Sequence, residues 1–556
     1  MELGWLAFFA FFPIAFALFR LYATFIPFPH IGPFPIPFGC MVTAVVAVTI
    51  WQVSALQVVA GAFQGLFFCA EIIFLLFSAI LLVQTLRQSG VFTVFGSEFA
   101  VISPDRRIQM ILIAWLFGSG VEGLFGFSAT GAACALLMVG IGFPPACAVL
   151  MAVMGPMTAS AFSSLGTPIT LGVAGGLQDP MILRQLSEMG WSLDEYLRHT
   201  STLVGILHGI AGTFMPSMMC VLMCRFFGKK QSWKEALDIL PFSLLAGIAF
   251  TVPFTLTAVY LGPEFPPIFG AIVGLVIVSS AAKLQFFVPR EVWDFPTRRA
   301  WPKHWFGGKF HPDPIAKIPR WKAWLPFVVL FLLLTLTRWR GSPISEYLRA
   351  QSWTWKNVFG SSVTIQSQFL YLPGIYFLLV SAMCFFLYRL PQERISKAFT
   401  SWTLPITFMT LQFAPFVMMM AGIYFNTGVN NAHFSSMPDA IASYAAQLPG
   451  AERWGAFLSP FLGAAGAFYS SNNIFGNAIF ASFQHTFGQH FNNAGSLFLA
   501  LHIVGASACN IISIHFLSGT CEAVNMPDWS SPTGRKTAAP MLIYLTLVGL
   551  IGALLL

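Results

Sequence analysis

Two long apolar stretches, each interrupted by glycines and small polar residues, constrain this chain more than any other feature. The first broken stretch runs from Phe117 to Ala174, and the second broken stretch runs from Phe457 to Val524. Lipid offers backbone groups no hydrogen bond partner, so irregular backbone at membrane depth must be buried in protein or line a wet cavity. A pair of such segments, one in each half of a polytopic protein, is typical of a transporter's substrate site. The two stretches therefore indicate a carrier.

Composition agrees with a membrane setting. The chain is 56% hydrophobic and 9% charged, and its mean hydropathy is +0.74. Its length predicts an all-α polytopic protein with about 12–14 transmembrane helices of roughly 20 residues each. The net charge of +8 lies in short basic runs between apolar segments, which is the positive-inside pattern of membrane proteins and argues against a nucleic acid partner. The nine cysteines show no metal-ligand spacing, so no cofactor or metal is expected.

The basic runs also predict the topology. We place four of them in the cytoplasm: Arg106–Arg107, Arg225–Lys230, Lys283–Lys322 and Arg389–Lys397. Gln178 and the loop from Asn426 to Arg453 then lie outside. The first broken stretch consequently runs from inside to outside and the second from outside to inside, as an inverted-topology repeat requires.

This reading divides the chain into seven parts. They are N-terminal spans at 1–107, a first broken-helix transport region at 108–178, scaffold spans at 179–282, a cytoplasmic loop at 283–322, spans and a long external loop at 323–453, a second broken-helix transport region at 454–534, and a C-terminal span at 535–556.

Three titratable residues are candidates for proton coupling. Glu71 and Glu122 lie inside apolar stretches, where a carboxylate is costly unless it protonates or pairs. A buried carboxyl that is neutral in one state and charged in another suits a proton-coupled carrier. The alternative is a structural acid that is hydrogen-bonded to a helix terminus. His515 could bind an anion or relay a proton, although a buried histidine can also be a packing residue.

Neither broken stretch contains Lys or Arg. An anionic substrate would therefore be held by helix N-termini, hydroxyls, amides or a histidine. The candidate substrate-binding residues are Gly123, Gly126, Ser128, Thr130, Thr158, Ser160, Ser163 and Thr167 in the first stretch, and Ser470, Ser471, Asn472, Asn473, Asn477, Asn510 and Ser513 in the second. Asn and Ser in membrane helices can instead serve only to join helices. Gly118–Gly123 matches the dinucleotide fingerprint, but that motif needs a preceding strand and a soluble βαβ unit.

Long motifs in a fixed order make the chain resemble the lactate permease family, the bacterial lactate/glycolate:proton symporters. They include VEGLFGF at 121–127, VGIGFPP at 139–145, GPEFPPIFG at 262–270, VPREVWDFP at 288–296, SSNN at 470–473 and CNIISIH at 509–515. The resemblance implies import of short 2-hydroxymonocarboxylates with a proton across the cytoplasmic membrane of a bacterium. A looser analogy with carriers built on inverted repeats implies an elevator-like transport domain that moves against a scaffold, and allows a homodimer.

The motifs depart from the family pattern beside the matching residues. Glu122, Asn472, Asn477 and His515 match, but Phe125, Ser128, Asn473 and Phe516 replace other groups. A larger or less polar substrate than lactate is therefore an alternative. Sodium coupling is an alternative in mechanism, because paired backbone breaks with Asn and Ser side chains could form an oxygen-lined Na⁺ site. A channel or an integral-membrane enzyme is the alternative in class, although no nucleophile–base pair or ligand cluster points to an enzyme.

Overall fold

The computed structural model describes residues 2–25, 35–126, 129–307, 318–339, 341–470 and 472–556. Its α-helices are Glu2–Phe25, Pro35–Thr49, Ala55–Ser89, Val91–Ile102, Arg106–Met110, Gly118–Leu124, Ala129–Gly140, Pro145–Met154, Ser163–Thr167, Ala174–Gly176, Pro180–Glu188, Leu193–Gly212, Met215–Phe227, Leu240–Tyr260, Pro266–Lys283, Arg320–Arg338, Pro343–Ala350, Pro373–Leu387, Gln392–Ala398, Leu404–Leu411, Ala414–Phe425, Met437–Ala446, Ala451–Ser470, Asn473–Gln489, Gly495–Ala508, Ile514–Ala523 and Ser530–Leu555. Turns of π-helix lie at Ile111–Phe117, Pro168–Val173 and Phe399–Thr403. Turns of 3₁₀-helix lie at Gly155–Met157, Ala159–Phe162, Trp233–Ala236, Arg298–Ala300, Lys303–Trp305, Val358–Gly360, Phe369–Tyr371, Cys509–Ile512 and Pro527–Trp529.

Strand structure in the described residues is confined to one short antiparallel pair, Trp353–Trp355 and Ile365–Ser367. The predicted all-α polytopic class is therefore confirmed. Among the described residues, seven helices are long and apolar enough to cross a membrane, or up to nine if each of two bent helix pairs is one span. The count of about 12–14 spans stays a prediction, as do the domain boundaries.

The first broken stretch begins with a re-entrant hairpin. Residues 106–124 form its first arm and Ala129–Gly140 its second, and we call residues 106–140 hairpin 1. The arms are antiparallel, because Cys134 Sγ lies 3.5 Å from the Ile113 carbonyl and Arg106 donates to the Ile141 carbonyl at 2.7 Å. The chain thus enters the protein, turns at its tip and returns to the face from which it started. Gly118–Gly123, the fingerprint-like motif, lies within the first arm and follows helix, not strand.

A broken span follows hairpin 1 and completes the first unit. Residues 145–176, which we call span 1, form two segments that bend by 56° between Met157 and Ala159. Gly155 packs against the Ala114 backbone, and farther along Ser164 reaches Phe125. Span 1 therefore runs parallel to the first arm of hairpin 1 and continues past the hairpin tip towards the opposite face.

The second broken stretch repeats this arrangement. Ala451–Ser470 and Asn473–Gln489 form hairpin 2, whose antiparallel arms are joined by a hydrogen bond from Ser459 to Gln484 at 3.0 Å. Residues 495–523, which we call span 2, then run parallel to the first arm of hairpin 2 and break at Ser513. Each unit thus consists of a hairpin followed by a broken span.

The two units point in opposite directions. The second arm of hairpin 2 lies alongside the end of span 1, with Asn477 on Pro168 and Ala481 against Gly176, so both approach the face that bears Gln178. Beyond span 2, Met526 contacts Gly307 in the loop at 284–307. The same loop accepts a hydrogen bond from Arg106 N at the Trp293 carbonyl. Hairpin 1 and hairpin 2 therefore open to opposite faces, which confirms the predicted inversion.

The loop at 284–307, which the sequence predicts to be cytoplasmic, packs beneath hairpin 1. Asp105 and Arg107 form a buried ion pair with N···O 2.7 Å. Trp293 N donates to Asp105, and Arg107 donates to the Glu235 carbonyl. Removal of one member of a buried pair leaves an uncompensated charge, so the pair is expected to stay intact. Through Trp293, the pair anchors the start of hairpin 1 to the loop.

Helices outside the two units lie against their breaks. Ala55–Ser89 crosses Ala414–Phe425 closely, with Gly61 and Gly65 against the backbone of Gly422 and Met418. Small residues permit such an approach between membrane helices. The segment before this crossing, Gln392–Leu411, meets Ala414–Phe425 at an angle of 42°, and we call residues 392–425 the bent helix. The sequence analysis assigned residues 323–453 to spans and a long external loop and predicted no break in them.

Candidate functional site

The breaks of both units meet in one region, and the backbone of span 1 is the most irregular part of it. Ser164, Leu165 and Gly166 have φ of 46°, 60° and 74°, a left-handed conformation that costs energy for residues with a Cβ. Gly166 packs against the Pro263 backbone, where a side chain would clash. Ser164 Oγ donates to the Phe125 carbonyl at 2.5 Å. The break in span 1 thus supplies a hydrogen bond to the tip of hairpin 1.

Glu122 lies one turn before the tip of hairpin 1 and is fully buried. Its Oε1 accepts a hydrogen bond from Ser160 Oγ at 3.3 Å, and Thr130 lies beside the carboxyl group. Oε2 has no hydrogen bond partner among the described residues. A carboxylate with so little compensation is costly to bury, so this position favours a group that can take up a proton.

Asparagines of hairpin 2 hold the interrupted backbone of span 1. Asn473 Nδ2 donates to the Ser160 carbonyl at 2.7 Å, and Asn477 Nδ2 donates to the Pro168 carbonyl at 3.0 Å. Both side chains are buried, Asn477 completely. Buried backbone acceptors need such partners, and here they come from the other unit. The two units are therefore interlocked at their breaks.

A small cavity of about 40 Å³ opens between the breaks and the bent helix. Its polar lining comes mainly from the two units and its apolar lining partly from helices outside them. The lining residues are Leu76, Glu122, Ser163, Ile406, Thr410, Phe413, Ser470, Asn472, Asn473, Phe475, Asn510, Ser513 and Phe516.

The electrostatics of the cavity suit an anion without any basic side chain. No Lys or Arg is among its described lining residues. Helices Asn473–Gln489 and Ile514–Ala523 both begin at the cavity, and helix N-termini carry partial positive charge and free N–H groups. Asn472 caps the first of these helices by accepting from Ile474 N at 2.7 Å. The arrangement can hold a small carboxylate beside a carboxyl group.

The structure brings seven of the 18 sequence-predicted residues to the cavity wall. Those that line it are Glu122, Ser163, Ser470, Asn472, Asn473, Asn510 and Ser513. Six others are buried but do not line it, namely Gly123, Gly126, Thr130, Ser160, Thr167 and Asn477. Ser128, Ser471 and the side chain of His515 lie outside the described part of the structure.

Two predicted residues lie elsewhere. Thr158 is buried next to Gly212 and Tyr544, away from the cavity lining. Glu71 accepts a hydrogen bond from Ser367 on the second strand, so a partner outside both units stabilises it. Its role in proton coupling stays a prediction, and its surroundings fit the alternative of a structural acid.

Sequence reasoning missed the contribution of helices outside the broken stretches. Leu76, Ile406, Thr410 and Phe413 line the cavity, and Phe475 lines it from within hairpin 2. The available signal was the sequence LQFAPF at 411–416, in which a glutamine and a proline interrupt an apolar run. Proline breaks the hydrogen bond ladder of a helix, so this segment is a third broken element.

The chain is also similar to known proteins. Residues 7–556 match the family model described as L-lactate permease. The chain belongs to the L-lactate permease family. This membership confirms the resemblance in the motifs and, together with the apolar helices, identifies a multi-pass protein of the bacterial inner membrane.

Individual members of the L-lactate permease family are distant from this chain but match most of its length. Glycolate permease GlcA of Escherichia coli strain K12 is 25% identical over 512 residues, which cover 86% of this chain and 83% of that protein. A putative L-lactate permease of Haemophilus influenzae is 24% identical, covering 86% of each chain. An L-lactate permease of Halalkalibacterium halodurans is 26% identical, covering 84% of this chain and 81% of its own. The family points to a transporter and not to an enzyme.

Proposed function

We propose that this permease imports lactate, glycolate or a related short 2-hydroxymonocarboxylate across the cytoplasmic membrane together with a proton. The observation that carries the proposal is the position of Glu122, which lines the same cavity as two helix N-termini and a set of amides and hydroxyls. The names of the relatives support lactate and glycolate as the substrate class.

Direct contact explains how proton and substrate would be coupled. An ionised Glu122 repels a carboxylate in the cavity, since like charges in a region of low dielectric interact strongly. A protonated Glu122 carries no charge and can donate a hydrogen bond to the substrate. The loaded state therefore contains both a proton and an anion. Release of both gives the empty state.

Interlocking of the units supports an elevator-like transport domain. Asn473, Asn477 and Ser507 of the second unit each donate to a backbone carbonyl of span 1. Such links favour movement of both units as one body against helices such as Ala55–Ser89 and the bent helix, which cover the cavity from outside the units. A homodimer also stays a prediction.

Uptake of radiolabelled L-lactate into proteoliposomes tests the transport proposal. We expect accumulation above equilibrium under an inward proton gradient with sodium absent, and loss of accumulation with a protonophore. Accumulation that requires sodium would replace the proton by Na⁺. The Glu122 and Thr130 oxygens that have no hydrogen bond partner among the described residues are candidate ligands for it. Equilibration without accumulation under either gradient would indicate a channel.

Glu122→Gln tests the coupling role. We expect proton-driven accumulation to be abolished, because glutamine cannot release a proton, whereas exchange of internal for external lactate continues. Glu188→Gln is the matched control, since Glu188 is exposed and pairs with Arg184 on its own helix. Unchanged proton-driven uptake in Glu122→Gln would remove Glu122 from the mechanism.

A further inference from the structure

The cavity has two unlike sides. Amides, hydroxyls and the Glu122 carboxyl of the two units form its polar side, whereas Leu76 on Ala55–Ser89 and Ile406 and Phe413 on the bent helix form an apolar side. The three apolar side chains are buried in the protein, with exposed fractions of 6%, 9% and 4%. They therefore face the cavity and not the lipid.

Thr410 contributes a hydroxyl group to the apolar side, and the hydroxyl hydrogen already has an acceptor. Thr410 Oγ1 donates to the Ile406 carbonyl of its own helix at 2.9 Å, a common arrangement for threonine in helices. A substrate carboxylate could use this hydroxyl as a donor only if the hydrogen bond to the Ile406 carbonyl were given up. The bent helix thus presents mainly carbon atoms to the ligand.

The chemistry of 2-hydroxy acids fixes their orientation in such a cavity. The carboxylate and hydroxyl share one end of the molecule, and the substituent on C2 is hydrogen in glycolate, methyl in lactate and a longer chain in larger acids. Burying the polar end against carbon would leave it without hydrogen bonds. The polar end therefore meets the two units, and the substituent meets the bent helix.

We propose that Ile406 and Phe413 determine the length of the acid that this permease carries. This inference rests on the proposed function and assigns specificity to residues outside both broken stretches. Phe475 and Phe516 also line the cavity, but they belong to the interlocked units, and Phe516 lies against Gly131, where an added Cβ would be 3.1 Å from its ring. Ile406 and Phe413 line the cavity from the bent helix, outside both units, and this is where we place the end of the substituent.

Competition for uptake of radiolabelled L-lactate tests the proposal in full-length protein. Unlabelled glycolate, L-lactate, L-2-hydroxybutyrate and L-2-hydroxyvalerate are compared as inhibitors of wild type and Ile406→Ala. We expect the inhibition constant of 2-hydroxyvalerate relative to lactate to fall at least roughly tenfold in the variant, within the range of about 10–200-fold by which one methylene in an apolar pocket is discriminated. Phe408→Ala, at a side chain that is 61% exposed on the same helix, should leave the ratio unchanged.

Further variants and outcomes keep the test decisive. If Ile406→Ala does not assemble, Ile406→Val and Phe413→Leu should each shift the ratio in the same direction by a smaller factor. An unchanged ratio in folded variants that still take up lactate overturns the specificity assignment and leaves the proposed function intact. Failure of all four acids to inhibit or enter with the wild type, under proton or sodium gradients, overturns the proposed function and the assignment with it.

Discussion

At the scale of single residues, the asparagines of hairpin 2 divide into two groups. Asn472 and Asn473 line the cavity, whereas Asn477 lies one turn farther along and is absent from the lining. Asn477 nevertheless holds the Pro168 carbonyl in span 1. Asn473 both lines the cavity and holds the Ser160 carbonyl, so the two positions overlap in one short segment. Ligand binding by Asn472 and Asn473 stays a prediction.

Asn477→Ala should reduce stability more than substrate recognition. The substitution leaves the Pro168 carbonyl without its donor, and interhelical hydrogen bonds in membranes contribute about 0.6–2 kcal/mol. We expect a lower melting temperature of the detergent-solubilised protein and little change in KM for lactate. Asn431→Ala, at an exposed residue, is the control. A many-fold higher KM at an unchanged melting temperature would instead make Asn477 a substrate ligand.

At the scale of elements, glycines set how closely the helices that bound the cavity approach. Gly61 and Gly65 on Ala55–Ser89 lie one helical turn apart and meet the backbone of Gly422 and Met418. Leu76 of the cavity lies on Ala55–Ser89. Ile406 and Phe413 lie on the bent helix, whose second segment, Ala414–Phe425, makes the crossing. Their close crossing therefore fixes the position of that side relative to the units.

Gly65→Ala should loosen this crossing. A methyl group at Gly65 would overlap the Met418 carbonyl, and overpacking of this kind costs about 1–3 kcal/mol. We expect less folded protein and a lower melting temperature in size-exclusion thermal assays. Gly140→Ala is the matched control, because an added Cβ there meets no atom within 4 Å. Equal behaviour of both variants would show that the helices can separate without cost.

At the scale of the whole molecule, the opposed hairpins define two faces. Gln178, after span 1, and Gln447, before hairpin 2, are both exposed, and Lys230 is exposed in a basic run after Met215–Phe227. Since hairpin 2 opens to the face where span 1 ends, Gln178 and Gln447 belong to one face. The positive-inside pattern assigns the other face to the cytoplasm.

Cysteine labelling of intact cells tests this arrangement. Gln178→Cys and Gln447→Cys should react with a membrane-impermeant maleimide from outside, and Lys230→Cys should react only after permeabilisation. Background should be low, because all nine native cysteines are buried. Labelling of Gln178→Cys and Gln447→Cys from opposite sides would contradict the inverted arrangement.

The sequence by itself determined the class of the protein, the two broken stretches and the key acid. Glycine and polar residues within an apolar run are a local signal with a local cause, because lipid cannot satisfy irregular backbone. Glu122 stood out because a carboxylate within an apolar stretch is costly unless it protonates or pairs. The basic runs further gave the opposite directions of the two units, which the contacts of hairpin 1 and hairpin 2 then confirmed.

Only the tertiary structure decided which side chains share the cavity. Ser163 and Asn473 line it, whereas the equally polar Thr158 and Glu71 have other surroundings, and linear spacing does not encode that difference. The break at 411–416 was visible in the sequence, but nothing in it showed that Ile406 and Phe413 face the cavity, because an apolar side chain that faces a cavity reads the same as one that faces lipid. Specificity in this permease thus depends on a face of a helix that only packing against the two units reveals.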